Sequence, residues 1–335
     1  MRNESRLRST RLGDQLEMNL SMTLSQVLAA SPSLFPLILD PAGNLVQVVN
    51  LSEIDYQAAS FLDGRLLAGG MRNAVIPWTE LQCAAQGLPK RCNFLFHISH
   101  AGSTLLSRLL GSHPACFSIR EPAILRLLGQ GEYRDRLDTF LGLWSRTFHP
   151  GQTALIKATS IVSEIAITLL SAVPDSRALL MYVPLETFLP ALLDGAMSDI
   201  TSHAHARLQR LQRKGFLSGL ALSNLSPGES VAMSWLSEMV SLDEVSKKFP
   251  DRTRWLDFDQ FLIQPDVHLR DSFAHFGIQA DVAPLISGPI MQRYAKKPEV
   301  KYDTSFRSNL LTASREKFRD EISRGLHWLK QAKPD

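Results

Sequence analysis

The sequence predicts an α/β fold: a parallel β-sheet flanked by helices, with a small α+β appendage at the N-terminus. Three observations predict it. Short apolar runs at 94–98, 154–157, 178–183 and 255–258 have the length and composition of buried strands. Helical patterns separate them, over 161–172, 187–194, 202–214, 230–247 and 266–276. Strands alternating with helices build a mostly parallel sheet covered on both faces. The third is a change of texture at Asn93, upstream of which the signals are short and mixed.

Taken in order, residues 1–30 read as a basic tail entering an amphipathic helix. Residues 35–39, the turn Asp40-Pro41-Ala42-Gly43-Asn44 and residues 45–49 read as a hairpin. Residues 51–90 carry short helix and strand signals and close on Pro89-Lys90-Arg91. The appendage is therefore assigned to 1–90 and the α/β domain to 91–335. The first strand of that domain meets Ser99-His100-Ala101-Gly102-Ser103-Thr104, a small-residue turn. Leu105, Leu106, Leu109 and Leu110 then repeat at helical spacing up to Gly111. The tail, 313–332, reads as one charged amphipathic helix. There is no internal repeat or low-complexity segment.

The 335 residues carry 36 Lys+Arg against 33 Asp+Glu, a net charge of +3. That balance argues against a general nucleic-acid binder but permits a local basic pocket. The three cysteines, Cys83, Cys92 and Cys116, form no CxxC and read as reduced thiols of a cytoplasmic protein. No apolar run is long enough to span a bilayer. The apolar stretch near the N-terminus is broken by Asn19, Ser21, Thr23, Ser25 and Gln26, so neither a secretory signal nor a membrane partner is expected.

The loop after the first strand carries the chemistry. Ligands of open α/β sheets sit at the carboxyl ends of strands. A helix N-terminus offers backbone N–H groups and a positive dipole end to phosphate or sulfate. Gly102 permits close backbone approach, and Ser103 and Thr104 add hydroxyl donors. The other reading is a plain strand-to-helix turn capped by Ser103 or Thr104. Gly-Lys occurs nowhere in the chain, which disfavours an ordinary P-loop ATPase or GTPase. Gly129-Gln130-Gly131 is only a fragment of a dinucleotide motif. His97 and His100 flank the strand end, but one anion contact and one strand residue is the stronger reading than a metal pair, and no metal is expected.

His100-Ala101-Gly102-Ser103-Thr104-Leu105-Leu106, followed by Gly111-Ser112-His113-Pro114, resembles the superfamily of sulfotransferases that use 3′-phosphoadenosine 5′-phosphosulfate. The resemblance is to the branch of tyrosylprotein sulfotransferases and many bacterial enzymes, with its [KR]-S-G-[ST]-T-L loop. Glu121, in Ser118-Ile119-Arg120-Glu121-Pro122, falls at that branch's catalytic base. Trp235, Trp255-Leu256-Asp257-Phe258-Asp259, Pro265, Leu269 and Phe276-Gly277 look like the family's late segment. The resemblance covers roughly 93–280. It implies a P-loop-like nucleotide-binding fold and transfer of a sulfuryl group to a hydroxyl or amine of a small-molecule or peptide acceptor.

It also implies roles for single residues. The backbone from Ala101 to Thr104 would hold the 5′-phosphosulfate, with His100, in place of the family's Lys or Arg, donating to it. Glu121 would take the acceptor's proton; a surface pair of Arg120 with Glu121 is the competing reading. Lys157, at a strand's carboxyl end, resembles the lysine of the family's K-[DST]-[PA] segment. A snorkelling lysine is the alternative. The family's 3′-phosphate Arg and Ser are replaced near Leu185 and Leu193, which leaves Lys296, Lys297 and Lys301 as candidates, or as a solvated basic loop. Arg207, Arg210 and Arg213 share a helix face that reads as solvated; an acceptor-binding lid is the lesser reading. Two other functions stand beside the transferase: an atypical P-loop phosphotransferase, and a non-catalytic sulfotransferase-like binding protein. Homo-oligomerisation is left open.

Overall fold

The computed structural model describes residues 22–40, 44–128, 133–294, 297–301 and 304–332. The expected hairpin is present: β1 (Leu34–Asp40) pairs antiparallel with β2 (Leu45–Asn50), with Phe35 opposite Val49 and Leu39 opposite Val46. A further strand, β3 (Asn73–Pro77), extends this sheet on the β2 side. Only Ile76 of β3 is buried, so its sequence shows no clear apolar alternation.

The central sheet has five parallel strands, β4 (Cys92–His97), β5 (Cys116–Arg120), β6 (Thr153–Lys157), β7 (Ala178–Tyr182) and β8 (Thr253–Asp257), in the order β5-β6-β4-β7-β8. The chain runs from β4 outward to one edge, returns through β6, and crosses over β4 to β7 and β8. A crevice therefore opens at the carboxyl end of β4, where an open α/β sheet places its ligand. β5 was not among the expected strands. All its residues are buried, but Ser118 and Arg120 interrupt the apolar run that a buried strand normally shows.

Seven helices carry the argument below: α1 (Ser103–Gly111), α2 (Leu185–Leu193), α3 (Ala204–Arg213), α4 (Pro227–Lys248), α5 (Phe258–Ile263), α6 (Thr304–Lys317) and α7 (Arg319–Gln331). Two expected helices are altered. The one at 161–172 begins as a tight 3-10 turn, Ser160–Ile165, and becomes α-helical over Ala166–Ala172. The single tail helix is two, α6 and α7, separated at Phe318. The break lets each half meet a different neighbour. Ser314 of α6 donates to Pro190 O of α2 at 2.6 Å. α7 lies on α4 at Gly228 and Gly325, where a Cβ on either glycine would strike the other helix's backbone. Apolar residues of the small sheet, such as Phe35, Leu37, Val46 and Val48, join one core with Phe94, Leu95 and Phe96 of β4.

Candidate active site

A cavity of about 840 Å³ lies over the carboxyl ends of the central strands. Its floor is the loop after β4. His100 and Gly102 both take left-handed backbone conformations, with φ of 57° and 69°. Glycine at 102 has a second cause: a Cβ there would collide with the Phe258 ring, which also lines the cavity. The close approach that glycine permits is thus made by a protein ring as well as by any ligand. Ser103 and Thr104 open α1 and face the cavity. The first-turn N–H groups of such a helix have no partner within it and are available to an anion. Ala101 is buried in the core, so it offers the site its backbone alone. His100 lines the cavity with Nε2 3.8 Å from an Asp199 carboxylate oxygen.

Glu121 follows β5 directly. Its backbone is left-handed, φ 50°, and its N–H donates to Lys157 O at 2.8 Å. Its carboxylate is ion-paired with the Lys157 ammonium at the end of β6, and both side chains are buried. Lys157 also donates to Thr104 Oγ1 at 3.3 Å, which ties the pair to the phosphate-type loop. His97 Nε2 lies 3.8 Å from the same carboxylate, and its Nδ1 is 2.8 Å from Ile98 O. Burial would raise the Glu121 carboxyl, but the opposing Lys157 charge, helped by His97 and Arg126, holds it below the usual carboxylate range. Glu121, Lys157, His100, Ser103 and Thr104 thus meet in one cavity.

Arg120 does not pair with Glu121 at the surface. It is 2 % exposed and donates to the carbonyls of Tyr56, Gln57 and Ala59. The backbone of this turn is held from the same side: Leu62 N donates to Arg120 O, and Ala123 N to Leu62 O. Next in the chain, Phe61 and Arg65 reach the cavity. The Arg65 guanidinium stacks 3.8 Å from the Phe61 ring and pairs with Asp63. The solvated face expected on α3 is also overturned. Arg207 and Arg210 are buried, because Glu238 of α4 accepts from Arg207 at 3.0 Å and from Arg210 at 3.1 Å. Only Arg213 of the three is exposed. Arg207 and His203 line the cavity. Burial, reinforced by Arg207 and Arg126, holds the His203 imidazole below its ordinary value.

The far half of the cavity lies over β7 and β8 and is lined by Pro190, Ala191, Phe258, Arg293, Arg307 and Leu311. Arg307 pairs with Asp259 at 2.6 Å, and its guanidinium carbon lies 5.2 Å from the centre of the Phe258 ring. Thr187 donates to the other Asp259 oxygen at 2.7 Å. Leu185 and Leu193 are buried among apolar neighbours and bring no polar group here. Lys296 lies outside the described residues. Lys297 and Lys301 are at the ends of β10 (Lys297–Lys301), which pairs with β9 (Arg293–Tyr294). Sequence reasoning missed Phe61, Arg65, Arg126, Phe258, Arg293 and Arg307. Of these, only Phe258 stood in a motif.

No protein-family model matches the chain, and no curated protein matches it. Solved structures similar to it are sulfotransferases. The sulfotransferase domain from the curacin biosynthetic pathway is 12% identical, with a TM-score of 0.43, over 72% of this chain and 98% of that one. The sulfotransferase domain of the Synechococcus PCC 7002 olefin synthase is 15% identical, with a TM-score of 0.40, over 73% and 96%. A sulfotransferase from Alicyclobacillus acidocaldarius is 15% identical, with a TM-score of 0.37, over 72% and 95%. Among the described residues no group of three or more His, Cys, Asp or Glu side chains is gathered to hold a metal ion. No helix among them is long and apolar enough to cross a membrane.

Proposed function

We propose that the protein is a sulfotransferase that moves a sulfuryl group from 3′-phosphoadenosine 5′-phosphosulfate to a hydroxyl or amine of an acceptor. One observation carries the reading: the buried Glu121–Lys157 pair stands in the same cavity as the left-handed loop and first turn of α1. That is a base, a cation and an anion cradle around one space. The cavity's size is in the range that holds a small ligand.

The donor's 5′-phosphosulfate sits on the N–H groups of Gly102–Thr104, with the Ser103 and Thr104 hydroxyls beside it. The acceptor oxygen or nitrogen lies on the Glu121 side, in line with the bond that breaks. As the new bond to sulfur forms, the acceptor's proton passes to the Glu121 carboxylate. The bond between sulfur and the bridging oxygen breaks, and its electron pair leaves with adenosine 3′,5′-bisphosphate. Lys157 and the loop donors face the charge that develops on the leaving phosphate, each such donor typically being worth about 10²–10³ in rate. Lys157 also keeps Glu121 ionised, ready to accept. The nucleotide extends toward β7 and β8, where Arg293 and Arg307 supply positive charge.

Calorimetry with adenosine 3′,5′-bisphosphate tests the donor, and transfer of labelled sulfate tests the chemistry. Glu121→Gln should bind the bisphosphate as the wild type does and lose about 10²–10⁴ in transfer rate. Preference for ATP with Mg²⁺ over the bisphosphate would make the protein a phosphotransferase instead. Bisphosphate binding with no transfer to any acceptor would favour a binding protein.

A further inference from the structure

The cavity divides along the sheet. The half over β7 and β8 is left for the nucleotide once Glu121 has placed the acceptor over β5 and β6. The acceptor half is walled by Phe61, Arg65, Arg126, His203 and Arg207 around the Glu121–Lys157 pair. Four of its side chains, counting Lys157, are permanent or near-permanent cations, against Glu121 among them and Asp194 and Asp199 elsewhere in the cavity lining. Some of this charge is answered behind the wall. Lys157 is matched by Glu121 and Arg65 by Asp63. Arg207 shares Glu238 with Arg210, so one buried carboxylate answers two buried guanidiniums; Glu164, 3.5 Å from Arg210, is itself shared with Arg213.

Arg126 makes no ion pair among the described residues. It stands within electrostatic reach of Glu121, of Asp63 and of His203. Of the two other acidic residues that line the cavity, Asp194 pairs with Lys317, and Asp199 has a largely exposed side chain that faces His100 and acts on His203. A pocket that keeps excess positive charge beside its base, and an arginine with donors to spare, is suited to a carboxylate or phosphate.

We propose that Arg126, with Arg65 and Arg207 behind it, is an anion subsite for the acceptor, so that the substrate is a small hydroxyl- or amine-bearing compound carrying a carboxylate or phosphate group. This rests on the transferase reading. The phenyl face of Phe61, lying 5.5 Å from the Lys157 ammonium and stacked by Arg65 on its own guanidinium, packs the carbon skeleton between the anion and the reacting group.

The test uses the full chain saturated with adenosine 3′,5′-bisphosphate, which fills the donor half. Hydroxyl-bearing fragments are compared by ligand-observed NMR in matched sets: 4-hydroxyphenylacetate, its methyl ester, and 4-hydroxybenzyl phosphonate. The two anions should bind more tightly than the ester, and high salt should narrow the gap. Arg126→Met should weaken the anions by about tenfold and leave the ester unchanged, with Arg126→Lys in between. Equal binding of ester and anions, no anion binding, or anion binding untouched by Arg126→Met would overturn the proposal. Failure of the bisphosphate itself to bind would instead count against the transferase reading. Because Arg126 is exposed on a short helix, its replacement leaves the core intact.

Discussion

At the scale of single residues, the site turns on how Glu121 is held. Its left-handed backbone is a conformation that non-glycine residues adopt at a cost, and it persists because neighbours fix it. Lys157 O takes its N–H, and the Lys157 ammonium takes its carboxylate. The pH dependence follows from the sign of the shift. The folded pKa is depressed, so transfer should persist as pH falls through the ordinary carboxylate range of about 4.3 and fade only below it. Lys157→Met removes the main opposing charge and leaves burial to raise the carboxyl, so the acid limb of the rate profile should move to higher pH. An acid limb that does not move in this variant would show that Glu121 is not the base. Glu121 and Lys157 were legible because each stands next to a motif or at a strand end. His97 was legible as a strand residue, but its approach to Glu121 depends on β4, β6 and β5 lying side by side.

At the scale of elements, the strands that the sequence displays are chiefly those buried on both faces by apolar side chains. β4, β6 and β7 were visible for that reason; β8 is an edge strand in which only Leu256 is buried, and it was visible through the apolar residues Trp255, Leu256 and Phe258. β5 was not. Its burial comes partly from distant rings, with Phe117 packed edge-on against Tyr56 and Phe148. α3 shows the same limit from the polar side. Its arginines look solvated in sequence, and only the packing of α4 shows that Glu238 waits for them. Removing Glu238 tests that packing. Burial opposes its ionisation, but Arg210 and Arg207 outweigh that and keep its carboxyl below the usual range. Glu238→Gln leaves two buried guanidiniums without their shared carboxylate and should cost about 3–5 kcal/mol in denaturant unfolding. A cost under about 1 kcal/mol would mean that Arg207 and Arg210 find other partners or water. In the wild type this contribution is present above the unfolded carboxyl pKa and is lost as pH falls through the depressed folded value.

At the scale of the whole molecule, the first 90 residues were legible as a distinct texture but not as a part of the site. The described residues of this segment are attached through arginines whose partners are, Ser60 Oγ apart, backbone carbonyls, which no sequence pattern announces. Arg120 grips Tyr56, Gln57 and Ala59, and Arg108 of α1 grips Gln57, Ala58 and Ser60. Arg146 donates to Leu28, Ser31 and Leu34. Burial lowers the Arg146 guanidinium to about 10 and the Arg120 guanidinium to about 9, so both remain charged at neutral pH. Together with a core that runs from Phe35 to Phe96, these clamps join the small sheet, α1 and the Glu121 turn into one unit. The full chain should therefore unfold in a single cooperative transition. Amide exchange of Val48 in β2 and Leu95 in β4 should report the same opening free energy. Arg146→Ala leaves several buried carbonyls without a donor, and it should lower the whole transition rather than release an early one. An early transition that exposes β1–β3 while β4–β8 stay protected would show instead that the N-terminal unit is a separate cooperative body, and that the Glu121 turn does not depend on it.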